Sequence, residues 1–95
     1  MTKIYFLEGK RIDLDSSEWN RIYYDGTWNS RGINLFWRKK DNCFILETWS
    51  NWQNEFNKVE VLIKHEAVEF LLGEEQHPQR VNDAFQIIKF KPEEL

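Results

Sequence analysis

The segment Ile33-Asn34-Leu35-Phe36-Trp37-Arg38-Lys39-Lys40-Asp41-Asn42-Cys43-Phe44-Ile45-Leu46-Glu47-Thr48-Trp49 holds two β-prone runs joined by four polar residues. Four residues is an accepted hairpin loop length. Pairing Arg38 with Cys43 then sets Trp37 opposite Phe44, Phe36 opposite Ile45, Leu35 opposite Leu46 and Asn34 opposite Glu47. Side chains alternate between the faces of a strand. One face therefore carries Ile33, Leu35, Trp37, Phe44, Leu46 and Thr48, and reads as the core face. The other carries Asn34, Phe36, Arg38, Cys43, Ile45, Glu47 and Trp49. A slip of one residue would turn Arg38 and Glu47 into the core, so the register is well specified.

Towards the C-terminus, Val59, Val61 and Ile63 alternate with Lys58, Glu60 and Leu62, which predicts another strand. The period then changes. Ala67, Val68, Leu71 and Leu72 recur at helical spacing within residues 65–72, and Gly73 stands where a helix end is capped. Pro78 is suited to start a short helix through Ala84. Phe85 to Phe90 reads as a last β-prone run.

Towards the N-terminus, Ile4 to Leu7 is β-prone and Gly9 interrupts it. Ile12 and Leu14 alternate with charges as a second short strand. Asp15 to Glu18 resembles a capping box and predicts one turn that seats Trp19. Arg21 to Tyr24 is a strand, and Asp25-Gly26 a turn. Thr27 to Gly32 reads as a loop carrying Trp28 and Arg31, and Ser50 to Asn57 as a loop carrying Trp52 and Phe56. The sum is an α+β fold: a small antiparallel sheet of four to five strands with one or two helices on one face. Helix 65–72 is expected on the face of Leu35, Trp37, Phe44 and Leu46.

Ninety-five residues suit a single domain over 1–95. The apolar share of 41% and charged share of 31% are those of a folded chain. Net charge is −3, with residues 1–40 basic on balance and residues 41–95 acidic. No apolar run approaches the ~20 residues of a membrane span, and the N-terminal apolar run is too short for a signal peptide. The expectation is a cytoplasmic protein without membrane contact. Cys43 is the single cysteine, so neither an internal disulfide nor a multi-cysteine zinc site is available.

Catalytic patterns are sparse. His65-Glu66 begins like a helical zinc motif, but position 69 is Glu where a second His is required, and His77 lies beyond Gly73. Cys43 has no histidine near it in sequence to act as a base. The four glycines are scattered, so no phosphate-cradling loop is present. The expectation is a non-enzyme with no catalytic residue, metal ligand or cofactor.

Two binding patterns stand out. Tyr23, Tyr24, Trp28, Arg31, Trp37, Arg38, Lys39 and Lys40 lie within eighteen residues. Interleaved rings and cations suit single-stranded nucleic acid, whose bases stack while its phosphates pair. The acidic total and the core position of Trp37 argue against it. The second pattern is the mixed hairpin face, where Phe36, Ile45 and Trp49 are rimmed by Asn34, Arg38 and Glu47. That is the composition of a protein interface. The alternative is that the N-terminal segment Ile4 to Leu14 folds over this face and buries it.

Tyr23-Tyr24-Asp25-Gly26-Thr27-Trp28-Asn29-Ser30, the hairpin strands ending in Ser50-Asn51-Trp52-Gln53, and Glu66-Ala67 before an apolar helix resemble a group of small uncharacterised proteins of phages, plasmids and integrated elements. Those proteins carry a hairpin ending in Ser-x-Trp-Gln, followed by a Glu-Ala helix. The likeness spans about residues 20–75. This chain departs from it with Asn54 where glycine is common and with an extra strand after Pro78. The group has no established activity. The resemblance implies a mobile-element setting, in which small inhibitors of host defence and regulators of gene expression are common. The resulting expectation is a protein-binding or regulatory module, acting as a homodimer or as an inhibitor of a host-defence or nucleic-acid-processing protein. Single-stranded nucleic-acid binding is the alternative. The candidate binding residues are Trp28, Arg31, Phe36, Arg38, Ile45, Glu47, Trp49 and Trp52.

Overall fold

The computed structural model describes residues 3–27, 31–52 and 56–91. Strands β1 (Ile4–Leu7) and β2 (Lys10–Asp13) form an antiparallel hairpin of their own. Its two-residue loop, Glu8-Gly9, has φ of 51° and 76°. Positive φ at both positions is the turn whose twist matches a tight hairpin, and glycine fits its second position without strain.

A four-stranded antiparallel meander follows: β3 (Asn20–Thr27), β4 (Arg31–Arg38), β5 (Cys43–Ser50) and β6 (Lys58–Leu62), side by side in that order. The β4–β5 register is the one that the four-residue loop predicts, from Arg38 opposite Cys43 to Asn34 opposite Glu47. Strand β3 runs on through Asp25-Gly26, so no turn forms there. A bulge between Arg21 and Tyr23 turns both Ile22 and Tyr23 towards the same core.

Helices α1 (Lys64–Leu72) and α2 (Pro78–Ile87) lie on one face of the meander. Glu66 accepts the Ile63 N–H at 3.0 Å and so satisfies one free donor at the start of α1. Pro78 occupies the first turn of α2, where its missing N–H costs nothing. The β-prone run from Phe85 to Phe90 is not a strand. Val81, Ala84, Phe85 and Ile88 recur at helical spacing and are all buried, so α2 extends to Ile87. Phe90 then folds back on Phe85, with ring centroids 5.1 Å apart.

Each face of the sheet carries a hydrophobic core. On the helix side, Ile22, Tyr23, Leu35, Phe44 and Leu62 meet Ala67, Val68, Leu71 and the inward residues of α2. Leu46 and Trp37 pack at the margin of that core, and Thr48 is exposed. On the other side, the β1–β2 hairpin and Leu14 cover Trp19, Phe36 and Ile45. The fold is α+β as expected, but its six described strands form two sheets. Residues 4–13 pair only with each other and act as a third layer.

Candidate binding surface

The hairpin layer decides what the mixed face of β4 and β5 can do. Phe36 and Ile45 are 5% and 1% exposed beneath it. They are core residues, so the reading of that face as an open interface is corrected: the N-terminal segment covers it. Glu47 is 0% exposed in the same layer. Its carboxylate accepts from Asn34 Nδ2 at 2.9 Å, from Lys3 Nζ at 3.1 Å and from the Tyr5 hydroxyl at 2.5 Å. Asn57 Nδ2 donates to the same Tyr5 oxygen at 3.2 Å. Among the described residues, no buried side-chain polar atom lacks a partner. Burial, reinforced by the hydrogen bond to Glu47, pushes the Tyr5 phenol up to about 12. This cluster pins the hairpin to the sheet, since a buried carboxylate is tolerated only when paired and hydrogen-bonded.

Trp49 also has a structural task. Gly32 lies opposite it in the register, and Gly26 lies opposite Gly32 on the next strand. The indole rests on these glycines, and a Cβ at Gly32 would overlap its Cζ2, Cε2 and Nε1 atoms. The ring supplies the surface that the glycine pair lacks.

The cationic candidates are held by neighbours. Arg38 forks onto Asp41 with contacts of 2.9 and 2.7 Å and stacks over Trp19 at 4.7 Å. The fork raises the Arg38 guanidinium above its ordinary value and lowers the Asp41 carboxyl. Arg31 stands 5.7 Å from the ring centroid of exposed Trp52. Lys40 lies 3.4 Å from Glu18. Trp28 falls outside the described residues.

A second polar cluster ties the helices to β3. His77 Nε2 lies 3.1 Å from Asp25 Oδ1, and the Tyr23 hydroxyl donates to Glu74 at 3.3 Å. Burial, with Glu74 and Asp25 nearby, pushes Tyr23 up to about 12. Arg80 donates to the Tyr24 carbonyl at 3.1 Å and stacks on that ring. Every one of these groups is occupied in joining two elements. Among the described residues, no three His, Cys, Asp or Glu side chains cluster to hold a metal ion.

What remains open is the β6 edge and the groove beside it. β6 ends the meander, so its outer backbone groups pair with no other described strand. Val61 is 51% exposed, and Phe56 and Ile63 on either side of the strand are exposed too. A groove of about 670 Å³ runs between β6 and the turn end of the hairpin. Leu7, Ile12, Trp19, Val59 and Val61 give it an apolar lining, and Lys10 and Glu60 stand at it as well. Half-buried Cys43 also lines it, its thiol raised above the ordinary value chiefly by burial. Of the expected binding residues, Arg38 and Ile45 reach this groove, whereas Phe36, Glu47 and Trp49 do not line it. Sequence reasoning missed Val61 as a surface residue. Its alternation groups it with Val59 and Ile63 as one apolar set, and only the end position of β6 in the meander leaves it exposed.

In comparisons with known proteins, no family model, no curated protein and no solved structure matches the chain. No helix among the described residues is long and apolar enough to cross a membrane.

Proposed function

We propose that this protein is a non-enzymatic binding module that takes an extended protein strand along β6, with apolar side chains of that strand entering the adjoining groove. The observation that carries the reading is the half-exposed Val61 on a proline-free edge that no other described strand pairs with. An open edge is a template for strand addition: backbone hydrogen bonds give affinity, and side-chain pockets give selectivity. The resemblance to mobile-element proteins supports a regulatory role of this kind, such as inhibition of a cytoplasmic host-defence or nucleic-acid-processing protein. Single-stranded nucleic acid is the weaker reading, because Arg38 and Lys40 already face acidic partners.

Affinity capture with tagged wild-type protein and with a Val61→Asp variant, followed by mass spectrometry, tests the proposal. A chain retained by the wild type and lost with V61D is the expected result. Capture that ignores the substitution, or tight salt-sensitive binding of random oligonucleotides instead, would refute it.

A further inference from the structure

Strand addition fixes the geometry of a partner but not its identity, and the β6 sequence itself narrows the choice. β6 reads Lys58-Val59-Glu60-Val61-Leu62. Lys58, Glu60 and Leu62 point to the helix side, where Leu62 joins the core, while Val59 packs on the hairpin side. Among the described residues, neither Lys58 nor Glu60 has an oppositely charged partner. They are exposed charges of opposite sign, two residues apart on one face of an open edge.

Two copies of one antiparallel edge pair through a two-fold axis normal to the sheet. Directly opposed residues must then share a face, so some residue of β6 has to face its own copy. Few registers satisfy this. Centring on Glu60 opposes two acids, and centring on Lys58 opposes two lysines. Centring on Val61 sets Glu60 against Leu62. Centring on Val59 sets Lys58 opposite Glu60 twice, around a Val59–Val59 contact. The next pair out sets Asn57 opposite Val61 on the hairpin side, and two residues beyond Lys58 exposed Phe56 comes to Leu62 of the other copy. Opposite charges directly across a ladder stabilise it, and like charges destabilise it.

We infer that the occupant of the β6 edge is a second copy of this chain, paired antiparallel about Val59 into a continuous eight-stranded sheet. The inference rests on the strand-addition reading and names its partner. The same two charges also disfavour other symmetric registers, which is how edge strands are kept from indiscriminate pairing.

Sedimentation of the intact chain and of two exposed-site variants, K58E and E60K, tests this. The wild type should sediment as a dimer. Each variant alone should associate about tenfold more weakly or worse, because both cross-strand pairs become repulsive. Mixing the two variants should restore the dimer, since an edge bearing only acids then faces an edge bearing only lysines. A merely unfolded variant would not recover on mixing, and circular dichroism of each variant checks that separately. Three results would overturn the inference: a monomeric wild type at about 100 µM, a dimer indifferent to both substitutions, or a mixture that stays monomeric. A monomer that still captures a foreign chain in a Val61-dependent way would remove self-pairing and leave strand addition standing. A monomer with no such capture would remove both.

Discussion

Tyr5 and Glu47, forty-two residues apart, share a 2.5 Å hydrogen bond that joins the N-terminal hairpin to the central sheet. That contact explains why the hairpin lies where it does. Its backbone pairs only with itself, so side chains alone dock it: the apolar layer over Phe36 and Ile45, and the polar cluster around Glu47.

The first prediction follows from that cluster. Glu47→Ala leaves buried Asn34 and part-buried Lys3 and Tyr5 without their shared acceptor. It should cost ~1–3 kcal/mol of stability, the cost of leaving a buried donor such as Asn34 Nδ2 without its acceptor, since Lys3 is 34% exposed and can turn to water. Tyr5→Phe removes one donor and should cost ~1–3 kcal/mol. Urea denaturation measures both. An E47A variant as stable as the wild type would show that the hairpin does not depend on the cluster.

The second concerns alkaline pH. Tyr5 and Tyr23 both stand at about 12 in the folded chain, above the ordinary value of 10.0. A raised value means that the folded state holds the phenolic protons more tightly than the unfolded state. Their stabilising contribution is whole below pH 10 and declines as pH rises from there towards 12. Stability should therefore fall across that window, and less steeply when Tyr5→Phe and Tyr23→Phe are combined. Denaturation midpoints between pH 9 and 12 check the slope, and a flat profile would contradict it.

The third is chemical. Burial raises the Cys43 thiol, so little of it is thiolate near neutral pH. Alkylation of the folded protein by iodoacetamide should be slower than that of a free cysteine, and unfolding should abolish the difference. A Cys43 that reacts as fast as free thiol, or faster, would require an activating group that the geometry does not contain.

The fourth concerns Gly32 and Trp49. Gly32→Ala should destabilise by ~1–3 kcal/mol, because the new methyl group collides with the indole. Introduced into a Trp49→Ala background, the same change should cost much less. A double-mutant cycle reads this coupling, and strictly additive effects would mean that the ring does not seat on the glycine.

The hairpin register was legible because both of its determinants are local: a four-residue loop and the alternation of Leu35, Trp37, Phe44 and Leu46. The second face was not. Alternation placed Glu47 and Phe36 together, but only the fold shows that Lys3, Tyr5 and Asn34 arrive to satisfy the carboxylate while the hairpin covers Phe36. Arg38, half-buried through its fork to Asp41 and its stacking on Trp19, fooled the same rule in the same way. Phe85 to Phe90 misled because Phe and Ile favour strands, whereas the helical spacing of Val81, Ala84, Phe85 and Ile88 decided the outcome. The β6 edge was half-legible: β6 was readable as a strand, but its place at the end of the sheet is a property of the topology.

Pairing of β6 with the β6 of a second copy would make the surroundings of its amides depend on protein concentration. Backbone amide spectra of the wild-type chain over a dilution series test it most directly. Concentration-dependent shifts are expected in residues 56–63 and at the groove beside them, with the outer faces of α1 and α2 unchanged. Shifts centred on the helices, or spectra that do not change while the protein remains associated, would contradict it.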